Sequence, residues 1–170
     1  MTTGLERQAQ SMADNPIDEI KTRTQNALKS FLYTLSFVPD DKLDWSPTPT
    51  AKSALQIAAH CAGYSELFAW VIREKNWPCT LEQWKSTVAS NIMSINSKDE
   101  AIAMLSQGID SSIAALDNVS LDEFGKIIDA PHAQTPFTFF LNLPALHLES
   151  HESQIDYLQT CWGDLEVHFL

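Results

Sequence analysis

Apolar residues recur at helical spacing along four long stretches of this chain, and this periodicity restricts the fold more than any other feature. The first stretch opens with Asn15 and Pro16, because asparagine is a good helix cap and proline suits the first helical turn. It stops near Pro39. The second opens at Ser53 and Gln56, which form a capping-box pattern, and is expected to run for about twenty residues.

The third long helix is separated from the second by a short connecting helix. Thr80 opens this connecting helix over the segment LEQWKSTVA. The third long helix begins with a capping box formed by Ser97 and Glu100. Gly108 lies inside it and is expected to weaken it mildly, because glycine loses more backbone freedom on folding than other residues. The next segment, LDEFGKIIDAPHAQTP, is predicted to be connecting chain with a short extended piece at residues 126–129.

The start of the last helix is ambiguous in the sequence. It either begins at Pro136 and kinks at Pro144, because an interior proline removes a backbone hydrogen bond, or begins with Asn142 as its cap. Both alternatives carry the helix to Trp162, with Gly163 as its terminator.

Four long amphipathic helices with one longer crossover connection are typical of an all-α four-helix bundle. At 170 residues, the chain is predicted to form a single domain spanning residues 1–170. The N-terminal sequence MTTGLERQAQSMADN lacks the apolar centre of a secretion signal, and the chain has no run of about 18 apolar residues that would span a membrane. We therefore expect a cytoplasmic protein without a membrane partner.

Charge and cysteine content exclude two further classes of protein. The chain carries 22 acidic and 11 basic residues, a formal net charge of −11. It would repel nucleic-acid phosphates, and nucleic acid is therefore not expected as a partner. Its three cysteines, Cys61, Cys79 and Cys161, lack the paired spacing of a disulfide framework. We interpret them as reduced, packed thiols, with Cys161 in the core.

Three histidines form the most distinctive functional pattern. His147 and His151 are four residues apart, so they lie on one face of the last helix with about 5–6 Å between their Cβ atoms. This spacing allows both imidazoles to reach one metal ion. His60, from the second helix, would supply a third ligand and leave a coordination position open, as in catalytic zinc sites. Three neutral imidazoles suit Zn²⁺, Ni²⁺ or Fe²⁺.

Histidine pairs at this spacing also occur in helices that bind no metal. A set of separate hydrogen bonds would satisfy inward-facing rings as well as a metal would, and some partner is needed because a buried unpaired polar ring costs free energy. The sequence leaves both interpretations open.

Two residues are placed to support the histidines. Tyr64 follows His60 by four positions and would project towards a metal, although a packed aromatic is the simpler interpretation. Gln154 follows His151 by three positions on the same face and would orient a ligand histidine or a bound water. A hydrogen bond at the edge of the core is the alternative for Gln154.

The other candidates are interpreted as structural or solvated. Glu149 and Glu152 are expected to point away from the histidine face into solvent. His132 is expected to be an exposed loop residue, with a role at the rim of a cavity as the alternative, and His168, in the tail, is expected to have no role. Trp45 is expected to pack as a lid over the helix ends.

Three sequence features together resemble the DinB-like superfamily. The segment LDWSPTPTAKSALQIAAH combines a Trp-x-Pro loop, a serine-capped helix and His60, while LHLESHESQI contains the spaced histidines followed by Gln154. The third long helix fills the stretch between them, and the resemblance extends over most of the chain. It implies a four-helix bundle in which His60, His147 and His151 bind a divalent metal. Relatives often pair through faces of the bundle, which implies a homodimer.

Two departures limit what the resemblance implies. Many relatives have the sequence His-His-Arg-Gly-Gln where this chain continues from His151 through Glu152 and Ser153 to Gln154, so a role tied to that arginine does not carry over. The ergothioneine-synthesis enzymes of the superfamily have glutamate where Ser153 stands, and that activity is not expected here. The superfamily also includes transferases and isomerases that use low-molecular-weight thiols, which implies thiol S-transfer and a small-molecule substrate such as a thiol.

Two classes of function follow from these features. The leading hypothesis is a divalent-metal-dependent thiol S-transferase or isomerase, with metal-dependent hydrolysis as the alternative enzyme reaction. The competing class is a non-catalytic bundle with a structural or vestigial metal site. The sequence identifies no catalytic nucleophile or general base.

Overall fold

A computed structural model describes residues 15–168 and Leu170. Residues 1–14 lie outside the described residues. They include most of the N-terminal segment in which the sequence predicts no secretion signal. The helices are α1 Pro16–Ser36, α2 Ala54–Glu74, α3 Leu81–Met93, α4 Lys98–Leu116 and α5 Phe137–Cys161, and the strands are β1 Ile127–Ala130 and β2 Ala133–Pro136. Short 3₁₀ turns lie at Asp40–Lys42 and Leu121–Glu123.

The four long helices α1, α2, α4 and α5 form the predicted four-helix bundle. Both α1 and α2 pack against α4 and α5, so α1 and α2 lie diagonally opposite each other. The chain between them therefore crosses the end of the bundle, and the short helix α3 packs on the outside of α2. Among the helices of residues 15–168, none combines the length and the apolar composition that crossing a bilayer requires.

The caps of α1 and α2 form as predicted and fix where these helices begin. The side chain of Asn15 accepts a hydrogen bond from the backbone nitrogen of Ile17 at 3.1 Å. At the start of α2, Ser53 and Gln56 exchange both bonds of a capping box. Since these bonds satisfy backbone N–H groups that the first turn leaves free, they fix the position of His60 along α2.

The predicted capping box of α4 is only half formed. The Ser97 side chain accepts a hydrogen bond from the backbone nitrogen of Glu100. The carboxylate of Glu100, however, accepts from the backbone nitrogen of Asn96 at 2.7 Å and not from that of Ser97. The sequence pattern was therefore right about the position of the helix start and wrong about one of its two bonds.

Gly108 marks the closest approach between α4 and α2. A Cβ atom at this position would lie 2.0 Å from Oγ and 2.5 Å from Cβ of Ser65, and 2.9 Å from the backbone nitrogen of Glu66. The sequence predicted only that Gly108 weakens α4 mildly. That prediction was incomplete, because it took account of α4 alone and not of the neighbouring helix α2. The glycine allows the two helices to pack without a side chain between them.

The segment between α4 and α5 forms an antiparallel hairpin, of which the sequence predicted only the first strand. Ile128 pairs with Thr135 and buries its side chain to 1% exposure. The second strand, AQTP, was missed because it is short, polar and largely exposed. The backbone nitrogen of Phe137 donates to the carbonyl oxygen of Lys126 at 2.8 Å, so the hairpin leads directly into α5.

Helix α5 follows the first of its two predicted alternatives. It begins directly after Pro136, contains Pro144, and ends before Gly163, whose φ of +96° suits glycine. Cys161 is exposed at the last turn, so its assignment to the core was wrong. Trp45 packs edge-to-face on Trp162 with ring centroids 5.6 Å apart, as expected for a lid over the helix ends.

The prediction that Glu149 and Glu152 point into solvent was wrong for Glu152. Its carboxylate is only 9% exposed and accepts hydrogen bonds from the hydroxyls of Ser30 at 2.7 Å and Thr34 at 3.0 Å. Glu149 remains partly exposed but binds the Arg23 guanidinium through both oxygens. Helix α5 packs against α1 on the face that carries Glu152 and against α2 on the face that carries the histidines. The prediction assumed a single buried face for this helix and therefore assigned Glu152 to solvent.

His168 is also buried, contrary to the expectation that it has no role. Its ring is stacked on Phe37 with centroids 4.1 Å apart, and its Nε2 lies 2.9 Å from a carboxylate oxygen of Asp164. Its backbone oxygen accepts a hydrogen bond from the Thr34 hydroxyl. These contacts fasten the C-terminal segment to α1.

Candidate metal centre

The fold brings the three predicted histidines together. Helix α2 supplies His60 and helix α5 supplies His147 and His151, each of them half-buried. One ring nitrogen from each histidine lies within 4.8 Å of the other two, and this group could hold a metal ion. Cys61, next to His60 in the sequence, is buried and does not belong to the group.

The ring nitrogens have a spacing that fits a common metal ligand set. Nε2 of His147 lies 3.1 Å from Nε2 of His60. Two nitrogens bound to one tetrahedral zinc at about 2.0–2.1 Å would be about 3.3 Å apart. The same 3.1 Å also suits a hydrogen bond between one protonated and one unprotonated ring nitrogen, so the distance alone does not choose between the two interpretations.

Gln154 contacts the third histidine, as one of the sequence hypotheses expected. Its Oε1 lies 2.9 Å from Nδ1 of His151. An amide oxygen can only accept, so Nδ1 of His151 is the donor in this contact, and Nε2 is the ring nitrogen that remains for a metal. Metal-bound histidines are commonly held in this way by a hydrogen bond to their second nitrogen.

Burial favours the neutral form of two of the three rings. Desolvation is the main cause that lowers the pKa of His147 to about 3, and the nearby rings of His151 and His60 lower it further. Desolvation likewise lowers the pKa of His60 to about 4, with smaller contributions from His151 and Lys52. Both rings are therefore unprotonated at neutral pH, which is the state that a metal ligand requires.

These pKa values predict an acid-sensitive stability for the metal-free protein. The unfolded chain binds protons at His60 and His147 near pH 6.5, whereas the folded protein resists protonation until about pH 4 and pH 3. The contribution of these rings to stability is complete above pH 6.5 and is lost as the pH falls below it. We expect the free energy of unfolding to decrease by about 1–3 kcal/mol between pH 6.5 and 5, after a discount for partial exposure.

Urea titrations at several pH values would measure this effect. The variant with His60→Gln and His147→Gln should lose most of the slope, whereas His132→Asn, at an exposed histidine, should keep it. An unchanged slope in the double variant would show that other groups cause the acid sensitivity.

A cavity of about 460 Å³ adjoins the histidines, all three of which line it. The Tyr64 ring contacts both His60 and His147, with centroid distances of 4.7 Å and 5.4 Å, so the tyrosine is packed and also lines the cavity. His132 is exposed, as predicted, and lies at the cavity through the hairpin turn.

The sequence analysis missed most of the remaining cavity wall, which is aromatic. Trp84 from α3 contacts both Tyr64 and Trp77 edge-to-face, and α5 adds Phe139 and Phe140. Trp84, in the segment LEQWKSTVA, could have suggested an aromatic wall. The sequence did not show, however, that α3 packs beside the histidine face of α2.

Comparison with known families agrees with this fold. Residues 22–155 match the DinB superfamily. The chain belongs to the DinB superfamily. The matched region includes all three histidines as well as Tyr64 and Gln154, and it confirms the resemblance seen in the sequence. No curated protein sequence matches the chain significantly.

Solved structures with the same fold include two bacterial proteins. A DinB-like protein from Bacillus subtilis matches with a TM-score of 0.63 at 17% identity, covering 89% of this chain and 96% of that chain. A protein from Streptococcus pneumoniae matches with a TM-score of 0.67 at 14% identity, covering 86% of this chain and 92% of that chain. At these identities the likeness concerns the fold alone.

A third similar structure is a mycothiol-dependent maleylpyruvate isomerase. It matches with a TM-score of 0.60 at 15% identity, covering 91% of this chain and 63% of that chain. More than a third of the isomerase thus lies outside the match. The chain therefore corresponds to only part of the isomerase.

Proposed function

We propose that this DinB protein is a divalent-metal-dependent enzyme in which His60, His147 and His151 hold the metal. The observation that carries the proposal is the convergence of three half-buried imidazoles beside a cavity large enough for a small substrate. Structural zinc sites usually use four protein ligands, often cysteines. A three-histidine set with no fourth protein ligand among the described residues favours a site that leaves a position for a substrate.

The residues around the histidines support this role. The lowered pKa values of His60 and His147 keep the rings ready to bind a cation, and Gln154 orients His151. A divalent metal in such a site makes a thiol or a water molecule nucleophilic at neutral pH. Zn²⁺, Ni²⁺ and Fe²⁺ all suit three imidazoles, and the donor set does not select among them.

We further propose that the reaction transfers or adds the sulfur of a low-molecular-weight thiol. The support comes from the similar structure whose name includes mycothiol, together with the shared bundle. The cavity wall includes Phe68, Trp84 and Phe140. These side chains exclude water from the reacting atoms and thereby protect an electrophilic substrate from hydrolysis.

A thiol-consumption assay tests this proposal. Protein purified without a nickel column would be loaded with Zn²⁺, Ni²⁺ or Fe²⁺ and given 1-chloro-2,4-dinitrobenzene with cysteine, glutathione or mycothiol. With at least one metal and thiol, we expect thioether formation at least about tenfold faster than with the variant in which the three histidines are alanine. The alanine variant serves as the matched control because it retains the aromatic side chains of the cavity wall.

Two other outcomes would replace the proposal. Metal-dependent hydrolysis of 4-nitrophenyl acetate, without any thiol requirement, would assign the site to a hydrolase. Absence of both activities, with a melting temperature that falls when metal is removed, would assign the metal a structural role.

A further inference from the structure

The cavity beside the histidines has an apolar, largely aromatic wall. Its volume of about 460 Å³ lies within the range of about 300–1,000 Å³ that is usual for small-molecule sites. Four elements build the wall: α2, α3, the hairpin with its turn, and α5. The flat side chains on it include those of Tyr64, Phe68, Trp77, Trp84, Phe139 and Phe140.

The wall carries no charged partner for a ligand. Of the described residues that line the cavity, none is Lys, Arg, Asp or Glu. Polar side-chain groups are limited to the histidines, the hydroxyls of Tyr64 and Thr135, and two indoles. The indole nitrogens of Trp77 and Trp84 are themselves buried and have no hydrogen-bond partner among the described residues. The tryptophans therefore present carbon atoms to the cavity.

A second groove shows that this apolar character is local. The groove between α1 and α5 has a volume of about 780 Å³ and is lined by charged residues, including Asp18, Glu19, Arg23 and Asp156. The protein as a whole has a net charge of −11. An anionic ligand body would thus meet a negative protein and no lysine or arginine side chain among the described residues that line the histidine cavity, and burying an unpaired charge there would be costly.

We infer that the histidine cavity receives the body of an uncharged, planar aromatic molecule. This inference rests on the proposed function, because it assigns the cavity to the substrate of the same site. Aromatic rings prefer edge-to-face or offset contacts with other rings, and the wall supplies both faces and edges. A bound metal would attract a negative group only at the histidine end of the cavity, so the ligand body beyond that end is uncharged.

Ligand-observed ¹⁹F NMR with three probes tests the inference on the full chain. The probes are 4-fluoroacetophenone, which is aromatic and neutral, 4-fluorobenzoate, which is aromatic and anionic, and 2-deoxy-2-fluoroglucose, which is neutral and polar. Each would be titrated at pH 7.5 with protein as purified and with protein dialysed against EDTA. We expect 4-fluoroacetophenone to bind to both preparations, and to bind EDTA-treated protein at least about tenfold more tightly than either other probe does.

A charge introduced at the cavity rim should reverse this preference. Phe139 is 46% exposed and lines the cavity, so Phe139→Lys should fold normally and place a cation beside the ligand. We expect 4-fluorobenzoate to bind about 3- to 10-fold more tightly to this variant, and 4-fluoroacetophenone to bind more weakly. Tyr157→Lys is the matched control, because Tyr157 is an exposed aromatic residue on the same helix and outside this cavity.

Three results would overturn the inference: equal or tighter binding of the anionic or sugar probe to EDTA-treated protein, loss of ketone binding after EDTA treatment, or the same change of preference in Tyr157→Lys. The metal content of the same samples reports on the proposed function separately. Protein that binds no metal but still selects the ketone would contradict the metal chemistry and support the aromatic selectivity of the cavity.

Discussion

Replacing His60, His147 and His151 together by alanine should abolish metal binding, with a loss from about one metal ion per chain to none. The expectation follows from the convergence of one nitrogen from each ring within 4.8 Å. No other group of three or more histidine, cysteine or acidic side chains among the described residues has such a spacing. Elemental analysis of protein purified without a nickel column would measure the loss.

The control for this experiment is His132→Ala, because His132 is exposed at the cavity and outside the three-histidine group. This variant should keep its metal. If the wild-type protein also fails to take up added Zn²⁺ or Ni²⁺, the short contact between His60 and His147 is a hydrogen bond in a polar cluster. The metal hypothesis would then be wrong.

A single substitution separates a catalytic metal from a structural one. His151→Ala removes the proposed ligand that Gln154 contacts and leaves the Nε2 pair of His60 and His147 in place. If the metal is catalytic, activity should disappear while the melting temperature falls by only a few degrees. Loss of the folded state in this variant would indicate a structural metal.

Gly108→Ala should destabilise the protein by about 1–3 kcal/mol, as overpacking does in well-packed interiors. Two effects oppose each other at this position. Alanine has the higher helix propensity, which alone would stabilise α4 by about 1 kcal/mol. The new Cβ, however, would lie 2.5 Å from Cβ of Ser65 and 2.9 Å from the backbone nitrogen of Glu66. Neither atom can rotate away, so we expect the steric cost to exceed the gain.

Chemical denaturation with urea would measure this change. Gly125→Ala is the matched control, because a Cβ there would meet nothing within 4 Å, and its effect should stay within about 0.5 kcal/mol. Adding Ser65→Gly to Gly108→Ala should recover part of the loss. A stabilised Gly108→Ala variant would show that α2 and α4 can separate at little cost, and the packing argument would be wrong.

Sequence patterns predicted those parts of the fold that depend on local bonds. The caps at Asn15 and Ser53 and the terminator Gly163 act within one turn of the residue itself, so they are visible without the rest of the chain. The approach of His60 to His147 and His151 was also predictable, since an inward stripe on two bundle helices has only one core to face.

The features that the sequence did not reveal depend on neighbouring elements. Glu152 is buried because α1 offers the hydroxyls of Ser30 and Thr34, and Gly108 is required because Ser65 lies opposite it. The aromatic cavity wall depends on where α3 packs, which no local pattern determines. Whether the region 1–170 is one domain stays a prediction.

The placement of the histidines on α2 and α5 determines when their group can form during synthesis. His60 and His147 are 87 positions apart, and at about 5–20 residues per second the ribosome needs roughly 4–17 s to make the intervening chain. Until α5 emerges, His60 has no histidine partner, because both of the histidines that face it lie on α5. If the group binds a metal, we expect binding only after the last helix has closed the bundle, and a chain that ends before α5 would hold one member of the group, His60, and bind metal only weakly.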